Sequence, residues 1–259
     1  MESDLALKAD ASTPPRVALT RIESTPDLVD RVYRALIDAI SVGALAPGAR
    51  ITQEEIAEQL AVSRQPVLQA LRQLKSHGFL IDAPGRGLLV APLDAVWLGQ
   101  VYEVRTALDA LAARLAAEAN AAGRSIAASV FRHDEALMAR GRSATRRDNV
   151  TQLIDCDLEF HNAIYAAARN PLIEQSARLH WQHIRRAMGA VLQPNEHRKD
   201  VWDQHEAISL AIAAGDGVQA AALMNVHGSS ARQFVIGQLA DRVVERGAKS
   251  ASVNASLVG

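Results

Sequence analysis

The sequence predicts a mainly α protein: an N-terminal winged helix-turn-helix followed by an all-helical antiparallel bundle of about six helices. Two patterns predict it. Between Ile51 and Val90, two short helical patterns meet across a tight turn and lead into two short apolar stretches around a Gly-rich loop. Beyond Asp94 the signals expected of strands vanish, and apolar residues recur at helical spacing as far as Arg246. Composition agrees: 49% of the 259 residues are hydrophobic but only 4% are aromatic, so helices must pack on helices through small side chains.

Residues 1–24 are polar and read as a disordered arm, with Val17–Ile22 a short strand or extension. A first domain spans 25–91. Thr25 caps a helix with Pro26 at its first position, where a missing N–H costs nothing. Leu28, Val29, Val32, Leu36, Ile37 and Ile40 form its apolar face, and Gly43 ends it. Leu45–Ile51 is a turn with an extended exit. Ile56, Ala57 and Leu60 then share one helical face, and Ser63 caps a second helix that tolerates Pro66 in its first turn. Val67, Leu68, Leu71 and Leu74 keep the helical spacing until Gly78. Phe79–Ile81 and Leu88–Val90 read as strands flanking Ala83-Pro84-Gly85-Arg86-Gly87, a wing. The second of these helices carries Arg64, Arg72 and Lys75 and no acid between Ser63 and His77, which suits a DNA major groove.

Ile56-Ala57, Val62-Ser63-Arg64, Pro66-Val67, Ala70-Leu71-Arg72, Leu74, Gly78-Phe79 and Gly85-Arg86-Gly87 together resemble the GntR family of bacterial transcription regulators. The resemblance implies a double-stranded DNA operator as partner. Ser63, Arg64, Gln65 and Arg72 would then meet DNA from the second helix, and Arg86 from the wing. Gln65 could pair with adenine, although a capping or solvent role stands beside that reading. Glu54 and Leu68 stand where relatives usually carry arginine, so operator sequence cannot be carried over.

Residues 92–94 form a linker, and a helical domain spans 95–246. Its helices read as Ala95–Ala122, Ser125–Arg140, Asn149–Ala168, Leu172–Leu192, Val201–Ala214 and Val218–Arg242. Gly141–Asp148 and Gln193–Asp200 read as loops, and 247–259 as a flexible tail. On the first helix Val101, Val104, Leu108, Leu111 and Leu115 make the apolar face.

Asp157 and His161, four apart, project from one helix face, while His205 and His227 each lie beside an apolar stripe. Converging in a bundle, one carboxylate and three imidazoles suit a divalent first-row metal; taken singly, a salt bridge or core hydrogen bonds explain them as well. Arg105 likewise reads as an arginine paired with Glu103 or Asp109. Tyr102-Glu103-Val104-Arg105, Asp157-x-x-x-His161 and the two later histidines resemble the FadR-like subfamily, whose bundle is the FCD domain. That resemblance implies that Asp157, His161, His205 and His227 hold a metal, zinc first, with nickel, manganese or iron as alternatives. It also implies that Arg105 grips a carboxylate of a small effector, its fork fitting that task better than lysine. Arg185 and Arg186 stand as possible supplements.

The net charge of −1 confines DNA binding to a local patch. One cysteine excludes an internal disulfide and suits a reducing cytoplasm. No signal peptide and no apolar run long enough for a bilayer stand out, so no membrane is expected. The expectation is a cytoplasmic, homodimeric regulator, a repressor of a palindromic operator, and not an enzyme. Two alternatives remain at this stage: a metalloregulator whose signal is the metal, or a metal-dependent enzyme fused to a DNA-binding head.

Overall fold

A computed structural model describes residues 26–122, 134–192 and 200–256. The predicted 1–24 arm, the Thr25 cap and most of the Gln193–Asp200 loop lie outside these residues. The head consists of α1 (Pro26–Ser41), β1 (Arg50–Ile51), α2 (Gln53–Gln59), α3 (Arg64–Ser76), β2 (Leu80–Asp82) and β3 (Leu88–Val90). The strands form one antiparallel sheet in the order β1-β3-β2, with Ile51 opposite Leu88 and Leu80 opposite Val90. Val32, Leu36, Ile40, Ile56, Val67, Leu71, Leu74 and Phe79 fill its core.

Local signals account for these boundaries. Thr52 and Glu55 form a reciprocal capping box at the start of α2. Ser63 holds the N-cap position of α3, but its hydroxyl makes no cap hydrogen bond and remains exposed. At the other end of α3, Gly78 takes φ +80°, Gly78 N–H donates to the Lys75 carbonyl and Phe79 N–H to the Leu74 carbonyl. That cap uses the Phe79 N–H, so the second strand begins at Leu80 rather than at Phe79.

The bundle comprises α4 (Ala95–Ala121), α5 (Glu135–Arg146), α6 (Val150–Ala168), α7 (Pro171–Val191), α8 (Val201–Ala213) and α9 (Gly217–Ser256). Helix α4 is its axis and packs against α6, α7, α8 and α9. Its most buried face is Ala112, Ala113, Ala116 and Ala117, whereas Val104, expected on the apolar face, is half exposed. Alanine lets neighbouring helices approach closely, and α9 answers with Gly228, where a Cβ would lie 2.3 Å from the Thr106 hydroxyl.

Two boundaries differ from the sequence reading. Helix α5 continues through Gly141 to Arg146 because Gly141 is a packing position: a Cβ there would meet the buried Trp202 ring at 2.1 Å. Helix α9 continues to Ser256, so 247–256 is helical rather than a loose tail.

The two domains meet along α7. His183 stacks on Phe79 (centroids 3.9 Å apart) and donates from Nε2 to the His77 carbonyl at 2.8 Å. The Tyr33 hydroxyl donates to Gln182 Oε1 at 3.0 Å and accepts from His77 Nδ1 at 2.9 Å. Arg185 pairs with Asp38 at 3.0 Å, and Arg186 donates to the Ala91 carbonyl. The two arginines left open as supplements to Arg105 therefore tie the domains together.

Candidate functional site

Helix α6 carries Asp157 and His161, α8 carries His205, and α9 carries His227, each on the side turned toward α4. One ligand atom from each of the four lies within 4.8 Å of the others. His205 Nε2 is 3.3 Å from Asp157 Oδ1 and 3.4 Å from His227 Nε2. Phe160 stacks on the His205 ring at 4.0 Å, which fixes the ring plane. His227 Nδ1 donates to Gln204 Oε1 at 3.0 Å, so the Nε2 lone pair is left facing the cluster. Gln204 is in turn anchored to Asp200 at 2.7 Å.

All three imidazoles are buried, yet neither nitrogen of His161 and not Nδ1 of His205 has a hydrogen-bond partner. Buried polar atoms left in this state are costly, and a bound cation would satisfy those facing the cluster. The donor set, nitrogen and oxygen at mutual ligand spacing, fits a divalent first-row ion.

Burial alone would raise the Asp157 pKa, but the His205 hydrogen bond and the neighbouring charges hold this carboxyl well below the usual range. Burial pushes His205 down despite Asp157 beside it, and pushes His227 well down, reinforced by His205 and His161. Neutral imidazoles and an ionised carboxylate are the forms that bind metal.

Arg105 lies on the same floor. Its guanidinium sits 3.6 Å above the Trp181 ring, and its Nε is 3.0 Å from Asp109 Oδ2. Asp109 Oδ1 accepts the Tyr165 hydroxyl, which in turn accepts from Trp181 Nε1 at 3.1 Å. Asp109 Oδ2 also lies 3.5 Å from His161 Nδ1. Arg105, Asp109, Tyr165 and Trp181 thus close a ring of four side chains, which touches the histidine cluster through Asp109. Burial opposes the charge on both partners, but the pair outweighs it: Arg105 is raised and Asp109 lowered. Of the two partners weighed for Arg105, Asp109 is the one taken, in a buried rather than a solvated pair; Glu103 pairs with Arg232 at 2.8 Å.

Arg105, Asp157 and His227 open on one cavity of about 70 Å³, otherwise walled mainly by apolar side chains including Leu153, Met188, Leu192, Val201 and Phe234. That volume accommodates a small ligand rather than a drug-sized one. Sequence reading missed Tyr165, Trp181 and Gln204 as neighbours of the site. Their aromatic and amide side chains carry no spacing signal, because their partners lie on other helices.

On the head, Ser63, Arg64, Gln65, Arg72 and Arg86 are all exposed on α3 and the wing. Arg64 is 3.2 Å from Glu54 on α2, and its carbonyl accepts from Gln53 Nε2 at 2.7 Å. Lys75 pairs with Asp82 at 2.6 Å through exposed side chains, as Arg64 does with Glu54. Gly87, at φ +89° with the Ile51 carbonyl 2.9 Å from where a Cβ would sit, lets the wing fold back over β1.

Residues 28–90 match the model of bacterial regulatory proteins of the gntR family, and residues 100–230 match the FCD domain. The chain belongs to the GntR family and carries an FCD domain. It is 30% identical over 181 residues to the Nta operon transcriptional regulator of Aminobacter aminovorans, covering 70% of this chain and 81% of that one. It is 28% identical over 180 residues to the HTH-type transcriptional regulator McbR of Escherichia coli, covering 68% and 78% respectively. Among solved structures, E. coli McbR/YncC superposes with a TM-score of 0.69 at 22% identity, covering 82% of this chain and 98% of that one. A putative GntR regulator from Rhodococcus sp. RHA1 gives 0.63 at 21% identity, covering 82% and 98%. The family's members are DNA-binding transcriptional regulators and not enzymes, and this GntR chain shares their winged helix-turn-helix and helical domain. No helix among its described residues is long and apolar enough to cross a membrane.

Proposed function

We propose that this GntR-family regulator is a cytoplasmic homodimeric repressor, controlled by a small carboxylate bound at a metal site in the FCD domain. The observation that carries the reading is the cluster of Asp157, His161, His205 and His227, of which Asp157 and His227 line the same cavity as the buried Arg105. The four residues would hold a divalent ion, zinc first, which when bound supplies a Lewis-acidic anchor for an anion. Arg105, seated on Trp181 and held by Asp109, presents Nη2, a buried donor without a hydrogen-bond partner, to the other end of that carboxylate.

The path to DNA runs through α7. Its Trp181 supports Arg105, and two residues later its His183 stacks on Phe79 of the head. A shift of α7 on effector binding would move the head as well. Such coupling needs a difference in effector affinity between the DNA-bound and released arrangements, and a nearly complete switch needs several kcal/mol of it. In the dimer, two α3 helices would enter successive major-groove faces of a palindromic operator. Arg64, Arg72 and Arg86 would meet phosphates or bases, with Ser63 and Gln65 at the helix start.

Selection of a random-sequence duplex pool with the zinc-loaded chain tests this. An inverted repeat should be recovered, a reporter placed behind it should be silenced, and a small carboxylate should release the DNA. Release by zinc alone, with no response to any carboxylate, would instead assign the signal to the metal.

A further inference from the structure

The ring that includes Arg105 contains a carboxylate that the metal site does not require. Asp109 is 2% exposed, lies on α4 among alanines, and touches Arg105, His161 and Tyr165 at once. We infer that Asp109 sets the charge of the effector pocket, making it selective for singly charged small carboxylates over doubly charged ones. The inference rests on the metal-and-carboxylate reading above.

Arg105, Asp109 and Asp157 are the charged groups of the cluster and its ring, and they leave it one negative charge when the three imidazoles are neutral. A divalent ion turns this into one positive charge, which a monocarboxylate cancels. A dicarboxylate would leave a net negative charge buried among apolar walls, where screening is weak and an unpaired charge is expensive. Among the described lining residues, Arg105 is the one arginine or lysine, so a second carboxylate finds no second such cation there, only a neutral donor such as Trp202 Nε1–H. Asp109 also takes the Nε edge of Arg105, so the whole fork is not free to balance a second anion. Without the Asp109 charge the pocket would carry two positive charges and would accept a dianion.

Two acids matched in carbon count and head group provide the test: 2-hydroxybutyrate and malate, which differ by a methyl against a carboxylate at the far end. Each is titrated calorimetrically into the zinc-loaded full-length chain. The wild type should bind 2-hydroxybutyrate at least about tenfold more tightly than malate, because like charges placed together in a site are strongly disfavoured. Asp109→Asn keeps the size and removes the charge, and should move the affinity ratio toward malate by about tenfold or more. Wild type that binds malate equally or more tightly overturns the inference, and that measurement stands even where the variant fails to fold. An unchanged ratio in a folded, zinc-loaded Asp109→Asn overturns it as well, leaving the metal-and-carboxylate reading intact. Failure of both acids to bind wild type overturns that reading and the inference with it.

Discussion

The head and the helical domain each set an arginine beside a carboxylate, and the two pairs differ in almost every consequence. Arg64 and Glu54 are 3.2 Å apart with side chains 67% and 59% exposed. Arg105 and Asp109 are 3.0 Å apart with side chains 5% and 2% exposed. In water the first pair contributes about 0–1 kcal/mol, so Arg64 can exchange Glu54 for a phosphate at little cost. In the bundle, breaking the pair strands a buried charge. Function and stability are therefore separable on the head and entangled in the helical domain.

Replacing Arg105 by alanine should break that separation most visibly. It leaves Asp109 buried without its main partner, a loss of about 3–5 kcal/mol by the usual cost of splitting a buried pair. Denaturant unfolding of the metal-free chain measures it. A loss below about 1 kcal/mol would mean that water already reaches the pair.

The interface between the domains should show an intermediate effect, dependent on pH. Burial holds His183 down at about 4, against an ordinary value of 6.5. Its folded pKa lies below its unfolded one, so on acidification the unfolded chain takes up the proton first. The stability from burying neutral His183 is thus full above pH 6.5 and is lost as the pH falls toward about 4. The loss should reach roughly 2–3 kcal/mol at the acid end. Unfolding of wild type and His183→Gln across that range checks it: the gap between them should narrow as pH falls. A constant gap would show that His183 titrates alike in both states.

Arg64→Ala should have the smallest effect on the fold, within about 0.5 kcal/mol, as surface substitutions usually do. Operator binding should nevertheless weaken, with the salt slope reduced by about one unit per half-site for a lost phosphate contact. Unchanged affinity and slope would remove Arg64 from the DNA interface.

What the sequence made legible follows the same division. The winged head is local: capping residues, Pro66, Gly78 and the Gly85-Arg86-Gly87 wing each act within a few residues, so its elements could be read in order, although Leu60, expected on the buried face of α2, is its exposed C-cap. In the bundle, the four clustered residues could be named because Asp157-x-x-x-His161 and the two later histidines resemble the FCD domain; their place beside apolar stripes left salt bridges or core hydrogen bonds equally open. Asp109 was one of two partners weighed for Arg105, but the ring that Tyr165 and Trp181 close around the pair could not be read, since it exists only once α4, α6 and α7 are packed. Gly141 was misread for a related reason. A glycine that makes room for Trp202 looks, in sequence, like one that ends a helix. Val104 was expected inside because it keeps helical spacing with Val101 and Leu108, but close helix packing selected the alanines of α4 for the core.

The account's central claim is that the effector is held from two sides, by the ion of the histidine cluster and by Arg105. The most direct measurement is calorimetric titration of 2-hydroxybutyrate into the wild-type chain, once loaded with zinc and once stripped of metal. The account predicts binding in the loaded protein and a loss of at least about tenfold in the stripped one, where the cluster and its ring keep a net negative charge that repels the anion. Equal affinity with and without zinc would contradict it.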